Sequence, residues 1–228
     1  MAITLNEILS LSESISIKDQ KIVGQVTSRN LHISASEYVS AQSFEFGLKP
    51  MAYALYSQNR ALLSTLRVAD KLSEQYLNFG TTGWVNYIAY QGEMTSGQIA
   101  SCQWQTASAG KNLVLGSLPS ITSTKYIVKT GDFCQVGRYS YIATADVLRG
   151  SGTTVTIPVH RTLMTTLVSP LAAVIGQYGT TISLGGSTYT GITFPVLLTK
   201  YPTYNLIPMT NDSFIAWDGE FTAYEVVL

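Results

Sequence analysis

Charge is scarce in this chain. Its 228 residues carry 14 basic and 14 acidic side chains, 12% of the total, where an ordinary soluble protein has about 25%. The net charge of +0 and a pI near 6.7 exclude a nucleic-acid binder of the usual basic kind, because no surplus of cations exists to displace counterions from phosphates. Cysteine is scarcer still: Cys102 and Cys134 are too few for a disulfide scaffold. No apolar run reaches about 18 residues, so no transmembrane helix is expected. The longest, around Leu163 to Ile175, is broken by Ser169-Pro170. The first residues, Met1 to Leu5, lack a basic region, and Glu7 and Glu13 interrupt the apolar stretch that follows, so no signal peptide is expected. The reading is a chain made and kept in a cytoplasm unless a larger particle carries it.

Neutral residues fill the gap. Hydrophobic residues make up 46% and mean hydropathy is +0.17, which excludes disorder and supplies a core for one large or two small domains. Ser and Thr contribute about fifty residues and Tyr contributes 14. A free surface needs charge for solubility, so the composition implies that other subunits cover much of this one. The deficit is also uneven: 14 of the 28 charged residues precede Gln75.

The pattern predicts a mainly β (α+β) protein, an antiparallel sandwich or barrel with few helices. Thr4-Leu5-Asn6-Glu7 fits a capping box and predicts a short helix over 5–13. Strands are expected at 21–26, at 31–36 and around Phe44-Glu45-Phe46. Leu62, Leu66, Ala69 and Leu72 recur at helical spacing and predict one prominent helix over about 52–76, with Pro50 before it and Gly80 after it. Beyond Gly80 the period turns to two: 84–90, 99–106 and 113–115 read as strands. Three hairpins are expected: Leu148-Arg149-Gly150-Ser151-Gly152 between 139–147 and 153–159, Gly185-Gly186 between 180–184 and 187–190, and Asp218-Gly219 between 214–217 and 220–227. Prolines 158, 170, 195, 202 and 208 fall at predicted strand ends or edges. The stretches 107–110 and 118–124 are the least structured, which suggests domains of 1–110 and 111–228.

Chemistry is hard to find. His32, His160, Cys102 and Cys134 have none of the spacings of a zinc motif, and the simpler reading is unrelated histidines with two buried thiols. His160 with Asp146 or Asp132 and a serine makes a triad only on paper, since no Gly-x-Ser-x-Gly elbow is present. Glu93, Asp132, Asp146, Asp212, Asp218, Glu220 and Glu225 do not form an evident acid pair for glycoside hydrolysis. Gly150-Ser151-Gly152 lacks the Lys-Ser/Thr of a phosphate loop. No catalytic residue, cofactor or metal is therefore expected. The tyrosines suit strand cores and subunit interfaces, and less well a platform for sugars or bases.

One run stands out: Lys129-Thr130-Gly131-Asp132-Phe133-Cys134-Gln135-Val136-Gly137, then Tyr141 to Asp146-Val147, then Gly152-Thr153-Thr154-Val155-Thr156-Ile157-Pro158-Val159-His160-Arg161. It resembles a pattern in tail and baseplate proteins of tailed bacteriophages, with Cys134 where an aliphatic residue is expected. Ser43-Phe44-Glu45-Phe46, the Pro50-led helix and the terminal Asp218-Gly219-Glu220-Phe221 are similar to theirs too. The resemblance implies a non-enzymatic, β-rich virion protein of the distal-tail or baseplate-hub type. It would be ringed around the tail tube, six-fold first and three-fold second, and bound to itself and to neighbouring tail-tube and baseplate proteins. It transfers no catalytic residues. On this reading Arg149, Gly150, Ser151, Gly152, Gly185, Gly186, Asp218 and Gly219 are candidate assembly hairpins. A carbohydrate-binding sandwich, a capsid decoration or head–tail connector protein, and a tail-associated hydrolase are the alternatives.

Overall fold

The computed structural model describes residues 5–19, 23–27, 33–37, 42–51, 53–68, 73–105, 110–165 and 170–227. The fold is mainly β, 45% strand against 15% helix, and its described strand pairs are antiparallel. The chain divides into two compact units that interleave in sequence. Leu11–Gln75 and Val196–Leu228 form the first; Thr4–Ser10 and Tyr76–Pro195 form the second. A single cut near residue 110 therefore does not describe the division, because the C-terminal strands return to the sheet begun by residues 12–50.

In the first unit, the strands Ser12–Lys18, Glu45–Pro50 and Phe221–Glu225 and the Val196–Lys200 part of Thr193–Lys200 lie side by side in that order. Ile17 pairs with Phe46, Phe46 with Ala223, and Ala223 with Leu198. Phe46, Ala223 and Leu198 are buried there with Phe44, whose ring stacks on that of Phe46 at 6.0 Å. Pro50 thus ends a strand rather than leading a helix. Val23–Thr27 and Ile33–Glu37 pair, close to the expected strands. A second sheet has the order Thr203–Met209, Asp212–Asp218, Ala54–Leu55. The helix Tyr56–Val68 follows directly. Its first turn is tied by Asp212, whose carboxylate accepts from Ser57 N at 3.2 Å and Ser57 Oγ at 2.6 Å.

The prominent helix is shorter than expected. Ala69 and Leu72 lie outside the described residues, and Gln75–Asn78 is a strand. Leu77, Asn78 and Phe79 are buried in succession, and the Tyr76 ring lies against that of Tyr189 at 5.5 Å.

The second unit is built from short pieces. Tyr139–Ile142, Phe133–Val136, Val174–Ile175 and Tyr178–Gly179 form one sheet; Val155–Pro158, Asn112–Gly116, Gln103–Trp104 and Leu171–Ala172 form another. A contiguous core joins them, including Trp104, Leu113, Leu115, Val136, Tyr141 and Ile157. The N-terminal helix is Leu5–Ser10, with Leu5, Ile8 and Leu9 buried. Trp84 Nε1 donates to Leu9 O at 3.0 Å, which anchors it.

One expected strand, 84–90, holds a helical turn instead, and the other, 99–106, is helical up to Ser101 and a strand only at Gln103–Trp104. Residues 85–88 form a 3-10 turn, because Tyr87 is drawn into an aromatic group with Phe79 and Phe133 at 5.3 and 5.0 Å. Tertiary packing overrides strand propensity there. Residues 99–101 end the helix Ser96–Ser101, whose start is a capping box between Thr95 and Gln98.

Candidate functional site

The eight candidate hairpin residues have three different fates. Gly185 and Gly186 form the expected tip between Ile182–Leu184 and Ser187–Tyr189, with φ of 55° and 80°. A Cβ on Gly185 would lie 2.4 Å from the Tyr76 ring, so the tip is braced by an aromatic as well as by its turn.

The segment Arg149 to Gly152 is not a hairpin tip. Val147–Leu148 pairs with Tyr126–Val128, and Val155–Pro158 pairs with Asn112–Gly116. Arg149 draws the loop together, donating to Pro119 O at 3.0 Å, Gly150 O at 3.2 Å and Gly152 O at 2.6 Å. Gly150 N donates to Ser123 O, and Ser151 is exposed. The guanidinium is spent on carbonyls of its own unit. Asp218-Gly219 is no hairpin either: the strand before it belongs to the three-stranded sheet, and Phe221–Glu225 pairs with Glu45–Pro50 and Val196–Lys200. Gly219, at φ 95°, turns the chain from one sheet to the other.

The polar residues with possible chemistry are engaged in hydrogen bonds or buried. Asp132 is 1% exposed and accepts from Gln91 N at 2.7 Å and Lys129 N at 2.8 Å; burial lifts its carboxyl above the ordinary range against those bonds. Asp146 accepts from Thr130 N and Oγ1, which holds it low. His160 Nδ1 accepts from Ile142 N at 2.9 Å, and burial beside Arg161 depresses the ring to about 4. Cys102 and Cys134 are buried free thiols; burial raises Cys102 to about 11 and raises Cys134 as well. His32 lies outside the described residues, among which no group of three potential metal ligands occurs.

Neutral side chains hold this unit together. Gln135, 1% exposed, donates Nε2 to Thr193 O at 2.8 Å and accepts from Thr193 N at 2.7 Å, while its own carbonyl takes Trp104 Nε1 at 2.8 Å. Asn78 donates to Thr190 O and Thr193 Oγ1. These amides and hydroxyls satisfy backbone groups that short strands leave over, beside buried Asp132 and Arg161, which bond backbone groups as ions.

The first unit carries the feature that sequence reading missed. Thr203–Met209 and Asp212–Asp218 form a hairpin over Thr210-Asn211, where Asn211 adopts φ 70°. Pro208 was expected at a strand end or edge, and it lies in an outer strand of this three-stranded sheet. Leu206, Ile207 and Met209 are 47%, 44% and 43% exposed. Ile207, Phe214 and Leu55 are in register across the sheet, and Tyr53, 69% exposed, packs edge-on against Phe214 at 6.1 Å. The Tyr56–Val68 helix packs on this sheet, where Leu63, Leu66, Tyr204, Trp217 and Phe221 line a cleft of about 220 Å³. A wider groove of about 520 Å³ runs past Trp217 between Lys49, Lys200 and Glu220. Thr210-Asn211 between two β-rich runs was the available signal for the hairpin, though not for its exposure.

No protein-family model matches this chain, and no curated protein is similar to it in sequence.

Proposed function

We propose that this chain is a non-enzymatic structural component of a bacteriophage virion, in its tail or baseplate, assembling with copies of itself in a ring around the tail tube. Six-fold closure is favoured and three-fold is the second choice, with tail-tube and baseplate proteins as neighbours. The observation that carries the assembly part is the concentration of exposed apolar side chains in one unit. Among the described residues, seven of the nine exposed large hydrophobics belong to the first unit: Met51, Tyr53, Leu206, Ile207, Met209, Tyr224 and Val227. Of these, Tyr53 and Ile207 meet at Phe214, and exposed apolar side chains placed together support a protein contact. The phage part rests on the motif between Lys129 and Arg161. Antibody–gold labelling of purified particles tests it: gold on tails supports the reading, gold on heads makes the chain a decoration or connector protein, and unlabelled particles overturn it.

A second reading, a carbohydrate-binding module, draws on the groove beside Trp217, where an indole wall stands among Lys49, Lys200, Glu13 and Glu220. A glycan bound by the native chain and lost in Trp217→Ala would favour it.

A further inference from the structure

We propose that the cleft walled by Tyr201, Tyr204, Trp217 and Phe221 binds a quaternary ammonium group, a trimethylammonium head such as that of a choline ester. The cleft lies wholly within the first unit, and its volume is about 220 Å³. An apolar cavity of about 150 Å³ holds benzene, and sites for drug-sized ligands begin at roughly 300 Å³. This cleft therefore takes a compact head group and not a whole large ligand.

The hairpin brings the rings together. Tyr204 and Trp217 are cross-strand partners, so both side chains leave the same face of the sheet. Gly219, at φ 95°, then turns the chain, and Phe221 begins the next strand with its ring 5.6 Å from that of Trp217. Tyr201 meets Phe221 at 6.2 Å, and Tyr204 meets Trp217 at 5.4 Å. The Tyr56–Val68 helix contributes Leu63 and Leu66, and Pro202 completes the lining.

The angles between the rings narrow the ligand class. The three neighbouring pairs meet at 61°, 59° and 70°. A sugar or a base stacks on one exposed ring face, whereas rings set steeply to one another wall a compact space from several sides. Each ring carries a negative face that attracts a cation. Every lining residue is uncharged. A primary ammonium entering the cleft would give up its water with no carboxylate to replace it. A trimethylammonium holds its charge beneath methyl groups, which suit an apolar wall.

Trp217 also lines the wider groove of about 520 Å³, with Lys200, Gly219 and Glu220, so the rest of the ligand has room past the indole. The two carboxylates and two ammoniums of that groove balance, and selection for the cation falls to the rings. The site requires neither a virion nor a ring. Its ligand differs from that of a carbohydrate module in carrying a fixed positive charge.

Choline and neohexyl alcohol, its uncharged isostere with carbon in place of nitrogen, test the site on the full native chain through the NMR signals of the indole N–H groups. Choline is expected to move the Trp217 signal, with an affinity about tenfold above that of the alcohol. Trp217→Leu keeps an apolar wall without a π face. It should weaken choline about tenfold and leave the alcohol nearly unchanged, and Trp217→Phe should restore choline binding. The comparison of the two probes on the native chain needs no variant, so it decides even where a variant fails to fold. Choline that binds no better than the alcohol overturns the proposal, as does choline that moves only Trp84 or Trp104. Retention on phosphatidylcholine vesicles as well makes a lipid headgroup the source of the ammonium; choline binding without retention makes it a soluble or polymer-borne ester, and both support the site. A choline-free glycan that moves the Trp217 signal when choline does not overturns it in favour of the carbohydrate reading. Particle labelling reads the virion proposal separately, so either can fail alone.

Discussion

The two units handle polarity in opposite ways. The second unit holds 10 of the 28 charged residues and the first holds 18, although the first is the shorter. Yet the charge-poor unit is the one that encloses its own apolar residues, in a contiguous core that includes Trp104, Leu115, Tyr141 and Ile157. Leu148 and Leu171 are its only exposed large hydrophobics among the described residues. The better-charged unit shows the other seven. Scarcity of charge is therefore a poor guide to where a subunit is covered. In the second unit buried amides such as Gln135 and Asn78 share the hydrogen bonding with only two buried ions, Asp132 and Arg161, among the described residues; exposed apolar side chains lie in the first unit, on Thr203–Met209 and at Tyr53.

The largest effect that tests this contrast is in the second unit's core. Trp104 is fully buried and donates to Gln135 O. Trp104→Ala should destabilise the fold by about 3–5 kcal/mol, whereas Ile207→Ala, at a 44% exposed position, should stay within about 0.5 kcal/mol. Chemical denaturation of both variants measures this. Equal losses would mean that the exposed strand is as integral to its unit as the core is to the other, and the contrast would fail.

Next comes the claim that neutral amides replace charge. Gln135→Leu nearly conserves volume but leaves Thr193 N–H and C=O buried without partners, at a cost of about 2–3 kcal/mol. Gln135→Glu restores an acceptor for Thr193 N but offers no donor for Thr193 O, and it buries a charge, so it should do no better. If glutamate is tolerated as well as glutamine, the scarcity of charge in this unit has another cause.

How much of this was legible follows from the range of the forces involved. Local rules were readable: Gly185-Gly186 must turn, because two adjacent residues with positive φ favour glycine, and Leu5, Ile8 and Leu9 mark an apolar helical face. The Thr95–Gln98 capping box was readable too, and was masked by the β-rich residues after it. Partner choice was not readable. Asp218-Gly219 looks like a hairpin, but whether the strands on either side pair with each other or with Glu45–Pro50 depends on residues far away in sequence. The same holds for Leu148 to Gly152, where Arg149 gathers carbonyls in place of a turn. The candidate surface was missed because exposure is a property of the assembled sheet. Leu206, Ile207 and Met209 look in sequence like any buried strand.

Acid should also distinguish the units. The His160 ring is depressed from 6.5 to about 4 by burial and by Arg161, so it is kept neutral in the folded chain. A proton binds the unfolded chain first. The stability it contributes is whole above pH 6.5 and is lost as pH falls from about 6.5 toward 4. The first unit has a different sensor: Asp212 is held low by Ser57 and by Ser213 N, so its contribution is lost only below the ordinary carboxylate value of 3.8. His160→Asn retains an acceptor for Ile142 N. It should flatten the melting temperature between pH 6.5 and 4, and hydrogen exchange should place the change in residues 76–195. A native melting temperature that is already flat across that window would remove the histidine as the second unit's acid sensor.

The smallest effect is expected where charge is most visible. Lys18 and Glu45 lie 2.8 Å apart on adjacent strands of the first unit, and Lys49 and Glu13 lie 2.6 Å apart beside them. The bond to Glu45 raises the Lys18 ammonium, but its side chain is 64% exposed, and water and salt screen what the pair gains. Replacing Lys18 and Glu45 together by Gln should leave the melting temperature unchanged at physiological salt, and only Lys18→Glu, which opposes two carboxylates, should lower it at low salt. The effect should fade as salt is added. A loss that persists at high salt would mean that these ions are structural, as Gln135 and Asn78 are in the other unit, and that the two units hold their strands by the same means.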